Sequence, residues 1–301
     1  MNLADQTNAD GAEAPLLAEL AREERARGAL GTVLLWLVAG DDAAMLGEEA
    51  VVRTRALVGA LAADLIRAVD ENPPAELTAR LAAVLATRPA VLGHCHALAL
   101  EGRRTEALAA AGHDPVLSPL LDRWLGGERE TAALAMTALA AQARFTSQQR
   151  RMELPCAELP ADLMHEALIA LADCAGAEGD SAAATLRDAY DEGRTRLALL
   201  ARLAFGAGAD DEAALLDPAR AGYALFATAL AQRAGVPRGE ALLAGAGGQE
   251  LRLVLLLRAA GASPAITGAA LATIHPEAQV PSEWLELSGE RAAALLAGAA
   301  A

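Results

Sequence analysis

The sequence contains no lysine, because all 25 of its basic residues are arginine. This absence excludes three chemistries that need the amine: Schiff-base catalysis on a lysine, the lysine of a phosphate-binding P-loop and the lysine of a protein kinase. A GC-rich genome would explain both the missing lysine and the excess of alanine, which forms about a quarter of the 301 residues. The exclusion holds whatever the cause.

Aromatic residues are also scarce, at 3% of the chain, and β-branched residues are few. Strands therefore have little to be built from. Alanine and leucine, which dominate instead, are the strongest helix formers because they lose little side-chain freedom in a helix. The composition predicts an all-α protein.

The chain has fewer basic than acidic residues. The 40 acidic residues outnumber the arginines and give a net charge of −15. Phosphate contacts dominate affinity for nucleic acids, so an acidic chain without a basic block is a poor candidate for that partner. The charge more simply keeps an alanine- and leucine-rich protein soluble.

Cysteine is limited to Cys95, Cys156 and Cys174, an odd number without a CxxC spacing. This pattern favours buried thiols in a reducing compartment over a disulfide framework. The first twenty residues lack the basic and apolar regions of a signal peptide. We therefore expect a cytoplasmic protein.

Long apolar runs are missing as well. The longest, ALGTVLLWLVA (29–39), is interrupted by Gly31 and Thr32 and as a helix would span about half of a bilayer core. We predict no transmembrane segment and expect this run to form a fully buried helix. A membrane-surface or dimer contact is the alternative.

The positions of glycine and proline along the chain predict how it is organised. We expect a disordered tail (1–13), an N-terminal helical segment (14–72) and two helical-repeat regions (73–175 and 176–301). Val51, Leu57, Leu61, Leu65 and Val69 have helical spacing before the strong breaker ENPP. Further on, helical runs alternate with short breaks, among them EGRR, AGHDP, LGGE, ELPCAELP, CAGAEGD, AGVP, AGASP and IHPE. Glycine just past a helix end and proline just inside the next start are typical of such breaks.

Two units of the C-terminal region resemble each other. LAQRAGVPRGEALLA (230–244) and LLRAAGASPAITGAALA (256–272) align on their Ala-Gly pairs, and each reads as helix, turn and helix. A repeated αα-hairpin is the mark of a helical solenoid. We predict stacked αα-hairpins arranged either as a HEAT-like α-solenoid or as a compact helical array.

The most distinctive stretch is AQARFTSQQRRMELPCAELP (141–160). On a helix, Arg144, Gln148 and Arg151 lie at the border of a buried stripe, which is formed by Leu134, Ala138, Ala141, Phe145 and Met152. Border arginines usually pair with a neighbouring carboxylate, here on the helix that begins after Pro160, where Asp162 and Glu166 are the candidates. The alternative is an interaction face that Arg144, Gln148 and Arg151 offer to an acidic partner.

A family resemblance enters at these residues. The chain from about residue 73 onward resembles the uncharacterised bacterial family called domain of unknown function 2336, in the segments DPVLSPLLDRWL, LAMTALAAQARF, QQRRMELPCAELPADLMHEAL, YDEGRTRLALLARL and GYALFATALAQRAGV. The resemblance implies a helical, repeat-like fold. It brings no catalytic residue, cofactor or binding site with it.

The most specific chemical hypothesis is a metal site. His94, Cys95 and His96 are adjacent, with His113 and Asp114 further on, and histidine and cysteine are ligands that Zn²⁺ prefers. On a helix, however, residues two apart point in nearly opposite directions. We therefore favour ordinary helix histidines and a buried thiol, and predict neither a metal nor a cofactor.

Other polar residues have simpler interpretations. Ser118 suits a helix cap, His165 has no HExxH partner, and a cationic His275 suits a helix end. The glycine-rich AGAGGQE follows no strand and indicates a helix junction, and YDEGRTR is typical of a solvated helix end. No catalytic residue is predicted.

These observations favour a non-enzymatic helical-repeat scaffold or adaptor that binds another protein or peptide along an exposed groove. The alternative is a ligand-sensing regulator with a small-molecule site between helices. A metal-dependent enzyme at His94–His96 is the third hypothesis. Homo-oligomerisation is left open.

Overall fold

The computed structural model describes residues 15–25, 27, 49–70 and 74–299, and every regular element within them is helical. The all-α prediction is confirmed for this part of the chain. The predicted tail (1–13) and the apolar run (29–39) lie outside it. No helix within the described ranges is long and apolar enough to cross a membrane.

The helices follow one another with short turns. They are α1 (residues 15–25 and 27), α2 (Glu49–Arg67), α3 (Ala75–Ala86), α4 (Pro89–Ala110), α5 (Pro119–Leu125), α6 (Arg129–Arg150), α7 (Ala161–Ala189), α8 (Arg196–Gly206), α9 (Glu212–Leu215), α10 (Pro218–Ala221), α11 (Tyr223–Ala234), α12 (Arg238–Ala244), α13 (Glu250–Ala259), α14 (Pro264–Ile274), α15 (Ser282–Leu285) and α16 (Gly289–Ala299). Of the residues predicted at helical spacing, Val51, Leu57, Leu61 and Leu65 are buried in α2, whereas Val69 lies beyond its end and is half-buried.

Glycine ends several helices as the sequence indicates. Gly112, Gly235 and Gly261 adopt positive φ angles of 93°, 68° and 90°. After each, the next N–H donates to the carbonyl five residues back, as in His113 to Leu108, Val236 to Ala231 and Ala262 to Leu257. This hydrogen bond is the helix-ending motif that left-handed glycine permits. The two predicted hairpins are thus α11–α12 and α13–α14.

Two predicted breaks have different outcomes. The predicted break at EGRR was wrong, because α4 continues without interruption through residues 101–104. The segment contains no proline, and burial of Glu101 and Gly102 against other helices outweighs its weak helix propensity. CAGAEGD does contain a break, since Gly176 within α7 has φ 61° and ψ −139°.

Helix α4 lies at the centre of the molecule. It packs against α2 and α3, its neighbours in the chain, and also against α11, α12 and α14, which follow about a hundred residues later or more. In a solenoid each hairpin contacts only its neighbours. The contacts therefore fit the compact array better than the solenoid.

Among the described residues, the core has two large parts and a small one. One large cluster draws on α2, α3, α4, α6 and α7, and the other on α4 to α6 and α8 to α14. A small third cluster joins Leu20 of α1 to α13 and α16. Because α4 and α6 contribute to both large clusters, their polar residues lie at the junction.

Candidate functional site

A charged cluster is buried at this junction. Glu101 of α4 is fully buried and accepts hydrogen bonds from both terminal nitrogens of Arg196, at 2.6 and 3.1 Å. Arg238 of α12 donates to the other side of the same carboxylate at 3.0 Å. We call Glu101, Arg196 and Arg238 the buried ion network. It ties α4, α8 and α12 together.

Arg196, the first residue of α8, is only 2% exposed. Its guanidinium lies 3.5 Å from the ring centre of Phe145, and it also donates to Gln142 Oε1 at 3.2 Å. Guanidinium is planar and weakly hydrated, so stacking and forked hydrogen bonds suit it better than they suit an ammonium group. The prediction that YDEGRTR is simply solvated was wrong for this residue.

The network holds its carboxylate ionised. Burial alone would raise the pKa of Glu101, but the charges and hydrogen bonds of Arg196 and Arg238 outweigh burial and lower that pKa to about 2. A carboxylate bound on both sides by guanidinium groups is a poor proton acceptor. The arrangement suits holding helices together better than acid–base chemistry.

A cavity adjoins the network one helical turn further along α4. This central cavity, of about 590 Å³ counted with its mouth, is lined by α4, α5, α6, α8, α10, α11 and the 113–118 segment. Its apolar lining includes Leu108, Leu121, Leu200 and Leu225. Thr105 also faces it, and the buried Thr105 Oγ1 has no hydrogen-bond partner.

A second cavity of about 360 Å³ meets the first at Thr105 and Pro115, which line both. We call it the side cavity. It lies between α4 and α6, and Gln149 contributes a buried Nε2 that has no hydrogen-bond partner. Two residues with unpartnered polar groups, Thr105 and Gln149, thus line the side cavity, and we call the two adjacent cavities together the cleft.

His113, Asp114 and Ser118 line the central cavity. Ser118 Oγ accepts a hydrogen bond from the Leu121 N–H, so its predicted role as a helix cap is confirmed. Asp114 Oδ1 accepts from the backbone N–H groups of residues 116 and 117, at 2.8 Å each. These polar side chains shape the turn that forms one wall of the cavity.

The other predicted metal ligands lie elsewhere. His96 Nδ1 is 3.3 Å from Thr54 Oγ1 of α2, whereas His94 lies beside Arg196. Burial lowers the pKa of each histidine to about 4, so both are neutral at pH 7. Within the described ranges, no group of three or more histidine, cysteine, aspartate or glutamate residues is arranged to hold a metal ion.

Two of the three thiols are unreactive at neutral pH. Cys95 and Cys156 are buried, and burial raises the pKa of each to about 12. In Cys156 the carboxylate of Asp64 adds to this shift. The thiolate is the nucleophilic form of cysteine, and neither residue supplies it at neutral pH.

The three residues of the predicted interaction face have different surroundings. Arg144 is exposed, Gln148 lines a small cavity beside the buried ion network, and Arg151 pairs with nearby Glu153 at 3.2 Å. Neither arginine forms an ion pair with the start of α7 among the described residues, so the predicted bracket between the helices was wrong. The buried stripe of α6 was right at Ala138, Ala141 and Phe145.

His275 does end α14. Burial, with the nearby charge of Arg104, lowers its pKa, so the imidazole is neutral at pH 7 and not the predicted cation. The glycine-rich segment forms the junction between α12 and α13, as expected.

An open groove runs between α8 and α11. Its lining combines apolar residues, among them Leu197, Ala198, Ala201 and Val236, with polar ones such as Gln232, and its volume is about 720 Å³ counted with the open side. Phe205, one turn beyond Ala201 on α8, is 88% exposed. Of the residues described, no other large apolar side chain is as exposed.

Three residues of the candidate site were not predicted from the sequence: Glu101, Thr105 and Arg196. A signal for the first two existed. Leu98, Glu101, Thr105 and Leu108 are spaced by three, four and three residues, which places them on one helix face. Polar residues inside an apolar stripe indicate a buried polar cluster. For Arg196 the sequence carries no comparable signal.

None of the family models, curated proteins or solved structures compared with this chain matches it. The resemblance to domain of unknown function 2336 therefore depends on the quoted segments alone and stays a prediction.

Proposed function

We propose that the protein is a non-enzymatic scaffold that binds an amphipathic helix of another protein in the groove between α8 and α11. The observation that carries this proposal is Phe205, which is 88% exposed one helical turn beyond Ala201, a residue that lines the groove. Large exposed apolar groups beside an apolar surface are typical of interaction sites.

The spacing of α8 supports a helical partner. Ala198, Ala201 and Phe205 are separated by three and four residues, so they share one face of α8. Small residues in the middle let a partner's backbone approach, and Phe205 can pack beside its apolar side chains. This arrangement corresponds to recognition of a helix in a groove.

Charge supports a basic partner. Glu192 lines the groove near the start of α8, whereas the charge of Arg238, which also lines the groove, is engaged by Glu101. Exposed Asp210 follows Phe205 beyond the end of α8. The whole chain carries a net charge of −15. A segment with an apolar stripe flanked by arginine or lysine would therefore be steered toward the groove.

Several observations support a role without catalysis. The carboxylate of Glu101 is bound on both sides by arginine, and burial keeps His94 and His96 neutral and Cys95 protonated at pH 7. The free thiols also support a reducing compartment such as the cytoplasm.

The test compares Phe205→Ser with Met136→Ser, a change at another exposed apolar residue (57%) on α6. Proteins captured from native lysate on each variant are identified, and a peptide copy of the candidate helix is titrated by calorimetry. Burying a phenylalanine contributes about 2 kcal/mol, so Phe205→Ser should weaken binding roughly thirtyfold. Met136→Ser should bind as the unchanged protein does.

Two results would contradict the proposal. Equal affinity of both variants for the captured helix would place the contact elsewhere. Concentration-dependent dimers in sedimentation that disappear only in Phe205→Ser would make a second copy of this chain the occupant.

A further inference from the structure

The side cavity is lined by two residues with buried, unpartnered polar groups, and a third such group, the Tyr223 hydroxyl, belongs to the lining of the central cavity. Thr105 Oγ1 and Gln149 Nε2 lack a hydrogen-bond partner, and Gln149 is only 5% exposed. Buried polar atoms in folded proteins are almost always paired. A hydroxyl and an amide NH₂ can both donate, so the missing partner is one that offers acceptor oxygens.

The lining of the central cavity is mostly apolar, although His113, Asp114, Ser118, Gln142 and Tyr223 also belong to it. Leu108, Leu121, Leu200 and Leu225 line the central cavity, which occupies about 590 Å³ with its mouth. An apolar lining with a few convergent polar groups is typical of small-molecule sites. An apolar body with a polar end would match both parts.

The charged residues that line the two cavities indicate where the polar end of a ligand would lie and which charge it would carry. Asp114 lies at the wall of the central cavity and would repel an anion there. In the side cavity, Glu106 is engaged by Arg53, at 2.6 and 2.9 Å. Arg150 also lines the side cavity, and no carboxylate among the described residues lies within salt-bridge distance of it. Arg53 also pairs with Glu49 at 2.7 Å, so Arg150 is the lining charge that remains to favour a negative group in the side cavity.

From these observations we infer that the cleft binds a small amphipathic carboxylate. The apolar tail occupies the central cavity, and the carboxylate oxygens accept hydrogen bonds from Thr105 Oγ1 and Gln149 Nε2. This site is separate from the α8–α11 groove, and the inference does not rest on the proposed function.

The experiment uses decanoate, and decylamine as a probe with the same tail but a head that can only donate. Each is titrated into the full chain by calorimetry and by thermal shift, below concentrations that form micelles. Decanoate should bind saturably and raise the melting temperature, and decylamine should not. Because the protein is acidic, non-specific charge attraction would favour decylamine. Preferential binding of decanoate therefore could not be explained by such attraction.

Three variants locate the site. Thr105→Val keeps the side-chain shape and should weaken decanoate binding by about tenfold or more. Its melting temperature without decanoate should not fall, because the hydroxyl has no partner to lose. Ala219→Leu fills part of the central cavity and should abolish binding. Thr185→Val, at an exposed threonine on α7, is the matched control.

Absence of saturable decanoate binding to the unchanged protein would overturn the inference. So would equal binding of decylamine, or undiminished decanoate binding by folded Ala219→Leu, because each would show that the cleft and its donors do not select the ligand.

Discussion

Two buried glutamates in this molecule ionise in opposite ways. Glu101 is 0% exposed and Glu23 of α1 is 1% exposed. The pKa of Glu101 is lowered to about 2, because two guanidinium groups outweigh the effect of burial. For Glu23 burial prevails and raises the pKa to about 7. The charge of the neighbours, and not burial alone, decides whether a buried carboxyl keeps its proton.

The neighbours of Glu23 explain its behaviour. Its carboxyl accepts hydrogen bonds from the backbone N–H groups of Leu251 and Arg252 at the start of α13, at 3.2 and 2.9 Å. These bonds lower the pKa, but Glu19 and Glu250 add negative charge nearby and raise it. A helix start provides only partial positive charge, which is less than two arginines provide.

Removal of the carboxylate from the buried ion network should have the largest effect. Glu101→Ala leaves Arg196 and Arg238 without their shared partner, and we expect the free energy of unfolding to fall by about 3–5 kcal/mol in urea titrations. Glu101→Leu combined with Arg196→Leu should recover part of this loss. A cost below about 1 kcal/mol for Glu101→Ala would show that the network contributes little.

Arg196→Lys should have the next largest effect. It keeps the charge but loses the forked hydrogen bonds to Glu101 and the stacking on Phe145, which should cost about 1–3 kcal/mol of unfolding free energy. Arg151→Lys, on the surface, is the control and should be nearly neutral. Equal stability of the two variants would mean that charge alone holds the network.

The pH dependence of stability should separate the two glutamates. The folded state holds the Glu23 proton more tightly than the unfolded chain does, so the contribution of this residue falls as pH rises from about 4.5 to about 7. Glu101 has the opposite sign, since its contribution is present above pH 4.5 and is lost as pH falls toward about 2.

Glu23→Gln should therefore remove a stability difference on the order of 1–2 kcal/mol between pH 5 and pH 8. The measurement is the melting temperature at both pH values, with exposed Glu283→Gln as the control. If Glu23→Gln and the unchanged protein respond identically to pH, Glu23 is ionised in the fold and the contrast with Glu101 disappears.

The smallest effect is expected at the surface. Arg144→Ala and Arg151→Ala should each change the melting temperature by less than about 2 °C, because both side chains are exposed and lack a buried partner. A larger drop would restore the bracket between α6 and α7 that the sequence suggested.

The sequence predicted the features that depend on local chemistry. Helix follows from alanine and leucine, and the turns at Gly235 and Gly261 follow from residues that permit a left-handed backbone. The buried ion network could not be predicted in the same way, because Glu101 and Arg196 are 95 residues apart. A charged residue looks the same in sequence whether it faces water or a distant partner.

The side-chain amide of Gln142 joins two parts of the molecule. It accepts from Arg196, the first residue of α8, and donates to the carbonyl of Pro115 in the wall of the cleft, at 3.2 Å in each case. The far end of α8 carries Phe205. If both binding proposals hold, a ligand in the cleft can act on the groove through the hydrogen bonds of this amide to the start of α8. Thermodynamic reciprocity then requires each bound partner to change the affinity for the other by the same factor.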